Sequence, residues 1–440
     1  MDDLDRRIRA AIRELEPPAE AAPELETIRS RAIRRRRRRR WTPLVAIAVA
    51  VALVTGVLYL RPRGETTLQT TSPTGLSAPA GSATAAELAA GQWSQLPPGP
   101  VSTPSEGIWA GTELLAWGSI GTSPASVDFS RGAAYRPSTR SWQPIAPAPF
   151  SVPQGLGVWT GKEVIFLGGS PAQAGTDGAA YNPSTNRWRR LPKSPLDWGT
   201  RFAVWTGSRL MAFGSAGTAS SSPPAVAAYD PATNHWTTIG LPDPPVEHGI
   251  GWESAVAIKG EVLVWSGWQI TSTAGPSLAG SGVDLYAYNE RTGRWSLRAP
   301  TANAMVAADS EFLVGNSVLV TGWPYIPCPN CNGGTLADVV GSYDPASNTW
   351  GRLPSLTGES FPGTRYLSTG AALVGIGDGD PSPVVVFDSV TNAWQALPPA
   401  PGTGCLQRAW TGSQIVTLCN GDWLAFTPAA QESPRPAPAR

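Results

Sequence analysis

The stretch "AAYNPSTNRWRRLP", residues 179–192, decides the fold because the chain repeats it. In this phrase Pro, Ser, Thr and Asn favour a turn between two short strands, and the tryptophan on the returning strand can pack against a neighbouring sheet. The phrase therefore predicts a hairpin and not a binding site. Five close copies occur: "AAYRPSTRSWQPI" from Ala133, "AAYDPATNHWTTI" from Ala227, "YAYNERTGRWSLR" from Tyr286, "GSYDPASNTWGRL" from Gly341 and "VVFDSVTNAWQAL" from Val385.

Each repeat contains more than this hairpin. An apolar run ending in Trp and a Gly turn comes first, as in "GVWTG" (157–161), and a second apolar run follows, as in "EVIFLGG" (163–169). Four short strands separated by turns predict one antiparallel sheet per repeat. The tryptophans that close the repeats lie 44 to 59 residues apart, a period typical of propeller blades. They are Trp93, Trp142, Trp188, Trp236, Trp295, Trp350 and Trp394.

The two ends of the repeat region complement each other. It begins with an isolated fourth-strand element, "GQWSQLP" (91–97), and ends with first, second and third elements that lack a fourth. Joining them completes a seventh blade and removes exposed sheet edges. We therefore predict an all-β, seven-bladed propeller over residues 91–428, closed by an N-terminal strand.

The combined pattern of a "WTG" hairpin, an apolar strand, "Y[DN]P" followed by Ser or Thr, and a closing Trp resembles the bacterial kelch repeats of the galactose-oxidase-like central domain superfamily. The resemblance covers about three quarters of the chain. It implies a fold and leaves the function open, because kelch propellers include both binding modules and enzymes.

The segment before the propeller predicts a membrane anchor. Residues 41–60 contain no charge and would span roughly 30 Å as a helix. Seven arginines, residues 34–40, precede this run, against Arg61 and Arg63 behind it, so the N-terminus is predicted to be cytoplasmic and the propeller extracytoplasmic. A cleaved signal peptide is the alternative, disfavoured because "RPRGE" follows the apolar run directly. The arginine run could instead bind nucleic acid, but its position beside the apolar run favours a role in topology, and we predict no nucleic-acid partner.

The remaining segments follow from composition. Residues 1–40 form a basic cytoplasmic tail whose apolar residues at helical spacing indicate a short amphipathic helix, either solvated or docked on a cytoplasmic partner. Residues 61–90 are rich in Thr, Ser, Pro and Ala and predict a flexible stalk. Residues 429–440 are expected to be a disordered tail.

The four cysteines fit an exported domain. Cys405 and Cys419 lie seven residues on either side of Gly412, so a three-residue turn at 411–413 would place them opposite each other in one hairpin. Cys328 and Cys331, in "CPNC", could pair within a long loop. A redox or zinc role for the CxxC pair is weaker, because two cysteines supply only half of a tetrahedral zinc site.

Recognition residues are expected on one face. Alternating strand direction places the tight turns between first and second strands, and between third and fourth strands, on one side, which we name the turn face. The opposite side, the loop face, collects the loops between second and third strands and the connections between blades. These include residues 267–284 of blade 4 and 322–341 of blade 5.

Loops on a rigid scaffold commonly carry the residues that recognise a ligand, although single aromatic residues there could simply cap blades. The candidates are Trp198, Arg201, Glu247, His248, Trp252, Trp268, Trp323, Tyr325, Arg365 and Arg408.

The sequence disfavours the best-known enzymes of this fold. A galactose-oxidase-type copper centre needs two His and two Tyr ligands, and the chain has only His235 and His248, expected on opposite faces. Arg201, Arg365 and Arg408 could form a carboxylate clamp, but their offsets within the repeats differ. The acidic turn "GDGDPS" (377–382) could hold calcium, although ordinary turn chemistry explains it. We therefore predict no catalytic residue, metal or cofactor, and a membrane-anchored module that binds an extracellular protein or glycan. A carbohydrate-active or oxidising enzyme and a transmembrane sensor are the alternatives.

Overall fold

The computed structural model contains a ring of seven four-stranded antiparallel sheets. The residues that it describes are 81–99, 103–119, 130–149, 156–167, 178–196, 200–216, 222–243, 250–271, 278–298, 305–324, 338–351, 353–354 and 364–429.

Six blades are built from contiguous chain and follow one another in sequence order. Blade 1 contains β2 (Thr103–Trp109), β3 (Leu114–Ser119), β4 (Gly132–Arg136) and β5 (Ser141–Pro144). Blade 2 contains β6 (Leu156–Trp159), β7 (Val164–Leu167), β8 (Ala179–Asn182) and β9 (Arg187–Arg190). Blade 3 contains β10 (Phe202–Trp205), β11 (Leu210–Ser215), β12 (Pro224–Asp230) and β13 (His235–Ile239). Blade 4 contains β14 (Gly251–Ile258), β15 (Glu261–Thr271), β16 (Leu278–Asn289) and β17 (Arg294–Leu297). Blade 5 contains β18 (Met305–Val314), β19 (Ser317–Pro324), β20 (Asp338–Asp344) and β21 (Thr349–Gly351). Blade 6 contains β22 (Arg365–Ser368), β23 (Ala372–Ile376), β24 (Ser382–Asp388) and β25 (Ala393–Ala400).

The seventh sheet, which we name the closing blade, joins the two ends of the domain. It contains β26 (Leu406–Trp410), β27 (Ile415–Cys419) and β28 (Asp422–Thr427), and its fourth strand is β1 (Gln92–Gln95). Trp93 lies opposite Phe426 in this antiparallel pairing. The predicted seven-bladed architecture and its closure by an N-terminal strand are both confirmed.

The first strand of every blade lies next to the axis of the ring. β2, β6, β10, β14, β18, β22 and β26 each contact the first strand of the next blade, and β26 contacts β2 to complete the circle. The fourth strands are therefore at the outer rim. Because first strands run from the loop face to the turn face, their N-terminal ends surround the axis at the loop face.

The third and fourth strands of every blade pair in the same way. In each closing hairpin the Trp of the fourth strand lies directly opposite a Tyr or Phe of the third strand, with ring centroids 5.0 to 5.3 Å apart. In the hairpin of residues 179–190, Tyr181 pairs with Trp188, and Asn186 closes the turn with φ of 52°. The Oδ1 atom of Asn182 accepts a hydrogen bond from the Ser184 amide at 3.0 Å, as turn chemistry predicts.

The same tryptophans connect neighbouring blades. In six blades the indole Nε1 donates a hydrogen bond to a backbone carbonyl of the preceding blade. The acceptor is always four positions after that blade's own closing tryptophan. For example, Trp188 donates to Ala146 at 2.8 Å and Trp236 to Pro192 at 3.0 Å. The other four bonds are Trp93 to Pro398, Trp142 to Pro97, Trp295 to Gly240 and Trp394 to Pro354.

The closing tryptophans were predicted to pack against neighbouring sheets, and the structure shows how deeply each is buried. Only Trp236 is buried, and the other six are half-buried because the fourth strands form the rim. Most of the fully buried aromatic residues are on second and third strands, including Trp117, Trp265 and Trp423, together with Tyr135 and Phe213, whereas Phe312 is on a first strand. The closing tryptophans therefore seal the outer part of each blade interface.

The last ten residues assigned to the flexible stalk form a packed segment, residues 81–90, which we name the strap. It contains helix α1 (Ala85–Ala89), which begins with a capping box between Thr84 and Glu87. Leu88 is completely buried in the core shared by blade 6 and the closing blade. The flexible-stalk prediction therefore does not hold for residues 81–90, because their apolar side chains have a groove to fill.

The strap crosses the turn face. The indole of Trp410 donates to the Gly81 carbonyl at 2.9 Å, and Ala83 forms a parallel bridge with Gly370. A Cβ atom on Gly81 would lie 2.4 Å from the Gly412 carbonyl oxygen, so only glycine permits this approach. Both Gly370 and Gly412 are in turns between first and second strands, which fixes the face at which the strap joins the ring.

The predicted disulfide between Cys405 and Cys419 is present in the closing blade. The register that produces it differs from the prediction. The turn between β26 and β27 has four residues, and Trp410 pairs with Ile415. A bulge between Leu406 and Arg408 then shifts the register by one residue and brings the two cysteines together.

Several predicted segments lie outside the described residues. They are the cytoplasmic tail (1–40), the proposed membrane segment (41–60), stalk residues 61–80, Cys328 and Cys331, and residues 430–440. Within the described part of the chain, helices long and apolar enough to cross a bilayer are absent.

Candidate functional site

The loop-face end of the axis is the candidate site, because the first residues of the first strands converge there. Arg201 directly precedes β10, and Arg365 is the first residue of β22. Arg408 lies within β26, immediately after the bulge. The structure thus places all three predicted arginines on the innermost part of their blades, at slightly different depths.

Arg201 connects two blades and remains exposed. Its backbone amide donates to the Phe213 carbonyl at 2.7 Å, and its Nη1 atom donates to the Trp252 carbonyl at 3.3 Å. The guanidinium of Arg201 is therefore held across the interface between blades 3 and 4. A guanidinium group in this position is chemically suited to recognise a carboxylate, phosphate or sugar hydroxyl.

Trp252 was predicted to be a recognition residue of the loop face, but the structure places its side chain in the core. Its side chain is 3% exposed and packs against Phe213, with ring centroids 5.5 Å apart, and against Trp295 at 6.2 Å. Trp252 follows the connection into β14, and the apolar face of blade 3 covers it. It stabilises the blade interface, and only its carbonyl takes part in the arrangement around Arg201.

Two further aromatic candidates belong to strands that are longer than predicted. The segment 267–284 was interpreted as an irregular loop, but β15 extends into it as far as Thr271 and β16 begins within it at Leu278, and Trp268 pairs with Gly282. In blade 5, Trp323 lies in β19 and pairs with Ala307. Blades 4 and 5 therefore extend paired strands, with their backbone hydrogen bonds satisfied, towards the loop face. The other candidates, Trp198, Glu247, His248 and Tyr325, lie outside the described residues.

A buried polar contact near the axis was missed by the sequence analysis. Glu311 on β18 is 5% exposed, and its Oε1 atom accepts a hydrogen bond from Ser254 Oγ on β14. Glu311 lies three positions before the last residue of its strand, and Arg365 occupies the equivalent position on the next first strand. The available signal was an acidic residue directly before the apolar run "FLV" that ends the strand. The contact joins blades 4 and 5 and brings a carboxylate to the same inner layer as the arginines.

One polar network of the turn face is satisfied within the scaffold. Glu163 pairs with Arg189, whose Nη1 atom also donates to Tyr229 Oη at 2.8 Å and to Asn234 at 3.1 Å. Burial raises the pKa of Tyr229, so this phenol stays protonated at neutral pH. The network connects blade 2 to blade 3 and is structural.

A shallow cleft lies at the rim between blades 2 and 3. It is lined by Pro192–Pro195, after β9, and by His235–Thr238 of β13, and Lys193 and His235 are exposed there. Its apolar wall is the Trp236 indole, which is already bonded to the Pro192 carbonyl. His235 is the first residue of β13, directly after the turn, as expected from the sequence.

The chemistry available near the axis is recognition by charge and hydrogen bonding. Arginines, a buried glutamate and a serine hydroxyl lie on or beside the innermost strands of different blades, at slightly different depths. Among the described residues, no three His, Cys, Asp or Glu side chains are close enough together to hold a metal ion.

Comparison with known proteins does not assign the chain to a family. No protein-family model matches it, and no curated protein is significantly similar to it.

Proposed function

We propose that this chain is a kelch-type binding module of the bacterial cell envelope, anchored by a single membrane-spanning helix, and that its loop face binds an extracytoplasmic protein or glycan. A β-propeller is consistent with a binding module. The observation that carries the proposal is the convergence of Arg201, Arg365 and Glu311 on the innermost strands of one rigid ring.

Rigidity supports the proposal physically. Binding groups held on paired strands lose little conformational entropy when a ligand arrives. Arg201 is fixed through both its backbone amide and its guanidinium, and Glu311 through Ser254. Arg201 is exposed and needs no reorganisation to present its charge, whereas Glu311 is buried and joins two of the inner strands.

The location rests on the sequence. An uncharged run at 41–60 behind seven arginines supports a single-pass anchor with a cytoplasmic N-terminus. A buried disulfide in the closing blade agrees with export to an oxidising compartment.

Binding assays on the full chain in nanodiscs test the proposal. We expect the wild type to retain a ligand from a glycan array or from envelope extracts and to release it chemically unchanged. Arg201→Ala should weaken that binding by roughly tenfold or more, since a charge-assisted hydrogen bond contributes about 1.5–3 kcal/mol. Arg187→Ala is the matched control, because Arg187 is an exposed arginine of the turn face.

The outcomes separate the candidate functions. Recovery of a cleaved or oxidised ligand would identify an enzyme. Equal loss of binding in Arg201→Ala and Arg187→Ala would remove the loop face as the site, and failure of the wild type to retain any glycan or protein would overturn the binding proposal.

A further inference from the structure

We propose that the turn face docks on an anionic lipid bilayer through exposed Lys and Arg side chains at the tips of its turns, which leaves the loop face directed away from the membrane. The inference rests on the membrane anchor in the proposed function. It adds a second interaction surface, distinct from the ligand face.

The first observation is where the chain joins the ring. The strap lies on the turn face, with Gly81 bonded to Trp410 and Ala83 paired with Gly370. The first described residue of the chain, Gly81, therefore lies at the turn face. With the anchor of the proposed function, the tether would join the propeller at this face.

The second observation is the surplus of basic side chains at the turn tips. Residues 64–440 are acidic as a whole, with 19 basic and 25 acidic residues. The turn face departs from this balance. Its exposed basic residues, in the turns or at the strand ends beside them, are Arg140, Lys162, Arg187, Lys259, Arg291 and Arg294.

The glutamates in the turns of this face and at the strand ends beside them do not neutralise these residues, because they already have arginine partners, and Glu87 of the strap is held by Thr84. Glu113 pairs with Arg136, Glu163 with Arg189, Glu261 with Arg298 and Glu290 with Arg209. Within the described part of the chain, Lys162, Arg187, Lys259, Arg291 and Arg294 form no ion pair. Their charges are therefore available to an external anion.

The aspartates of the turn face are held close to the backbone. Asp344 accepts from the Ala346 amide at 2.9 Å, and Asp388 accepts from the Val390 amide at 2.9 Å. Asp230 has the same contact with Ala232. The hydrogen bond from the Ala232 amide lowers the pKa of Asp230, and those from the Ser347 hydroxyl and the Ala346 amide lower the pKa of Asp344. Both therefore stay charged, but their side chains are short and half-buried. Long Lys and Arg side chains extend beyond them.

An anionic bilayer is the partner that fits this arrangement. The basic residues are spread over blades 1, 2 and 4 instead of lining a groove, so they match an extended surface better than a compact ligand. All the described turns of this face are short, which lets several tips approach a plane within the screening length of about 8 Å. Each basic side chain near an anionic surface strengthens docking about fivefold.

The three lysines of the chain provide a direct test. Lys162 and Lys259 are at turn-face tips, whereas Lys193 follows β9 on the way to the loop face, and all three are exposed. The full chain would be reconstituted in nanodiscs of phosphatidylcholine alone or of phosphatidylcholine with phosphatidylglycerol. Acylation rates at each lysine would be measured by mass spectrometry.

We expect labelling of Lys162 and Lys259, relative to Lys193, to slow about fivefold or more in the anionic nanodiscs. About 1 M NaCl, which shortens the screening length to about 3 Å, should restore the rates. The double variant Arg187→Gln/Arg294→Gln should restore much of the labelling. The double variant Arg131→Gln/Arg190→Gln removes the same charge from the loop side and should leave the protection intact.

The opposite results overturn the inference. Equal relative rates in both lipids, or equal slowing of all three lysines, would show that the turn face does not dock electrostatically. Absence of the chain from both nanodisc preparations would refute the anchor and the docking together. Ligand retention is measured separately, so a failed ligand assay leaves this result standing.

Discussion

The closing blade and the six contiguous blades use the same hairpin, but they are held together differently. In blade 2, four strands follow one another along the chain, and short turns keep them adjacent. In the closing blade, β1 and β28 are more than 300 residues apart in sequence and meet only through pairing such as Trp93 with Phe426. Among the described residues, the disulfide is in the closing blade, which also holds the strap together with blade 6. The difference indicates that a repeat can specify a blade, whereas ring closure needs additional contacts.

Among the changes that test this difference between blades, deletion of residues 91–97 should destabilise the protein most. The deletion removes β1 and exposes the edge of β28, so we expect loss of a cooperative unfolding transition in circular dichroism and association of the chain in light scattering. Deletion of residues 434–440 is the length-matched control. A β1-deleted chain with the melting temperature of the parent would show that closure does not depend on β1.

Trp93→Ala and Trp188→Ala compare the same position in the two kinds of blade. Each removes an aromatic pair and an indole hydrogen bond, so we expect each to lower the free energy of unfolding by about 3 kcal/mol in denaturant titrations. Hydrogen exchange should quicken in β28 only for Trp93→Ala. In Trp93→Phe, which keeps a ring and loses the Nε1 donor, the loss should be about 1 kcal/mol. Faster exchange throughout the ring in both variants would mean that closure is not a separate weak point.

Removal of the disulfide tests the closing blade alone. The double variant Cys405→Ala/Cys419→Ala should lose about 2–4 kcal/mol of unfolding free energy. Its effect should add to that of Trp188→Ala, which is distant, and should not add to that of Trp93→Ala, which is in the same blade. Full additivity in both combinations would contradict a single closing unit.

Alkaline pH should destabilise contiguous blades and spare the closing blade. Burial raises the pKa of Tyr181 and of Tyr286 to about 12, and the charge of Asp284 adds to the effect at Tyr286. The folded protein therefore binds these phenolic protons more tightly than the unfolded chain does. The resulting stabilisation is fully present below about pH 10 and is lost as the pH rises to about 12, by about 1–2 kcal/mol per tyrosine.

Tyrosinate absorbance and denaturant titration between pH 9 and 12 would measure this loss. Tyr181→Phe should flatten the pH dependence. The closing blade has Phe426 at the position of Tyr181, so Phe426→Leu, which leaves no new ionisable group, is a control that should lower stability without changing its pH dependence. An unchanged slope in Tyr181→Phe would refute the assignment.

Thr84→Ala should have the smallest effect. Thr84 caps α1 through its contacts with Glu87, and loss of such a cap typically costs about 1 kcal/mol. Thr84→Ser keeps the hydroxyl and should retain most of the stability. Destabilisation by Thr84→Ser equal to that by Thr84→Ala, measured by thermal unfolding, would mean that the hydroxyl is not what holds the strap.

The repeat made most of the architecture predictable. Spacing of the closing tryptophans, the turn residues and the phase of the two ends were enough to predict seven blades, β1 as the borrowed strand and the Cys405–Cys419 pair. Positions defined by local pattern were therefore read correctly, because a hairpin depends mainly on residues near in sequence.

The site was less predictable for a physical reason. Trp252 and Arg201 both precede or begin first strands, yet one is buried and the other exposed. Whether a residue beside a strand is covered depends on the apolar face of the neighbouring blade, which lies about 50 residues away. The strap was missed for the same reason, since a short Ala-rich segment shows no sign of the groove that buries Leu88.

The sequence by itself determined the number of blades and the strand that closes the ring, since each hairpin contains its own turn signals and aromatic pair. Only the tertiary structure decided which face receives the strap, which aromatic residues are buried, and that Glu311 meets Ser254 near the axis. Those outcomes depend on contacts between distant blades, and no local pattern encodes the surface that a neighbour presents.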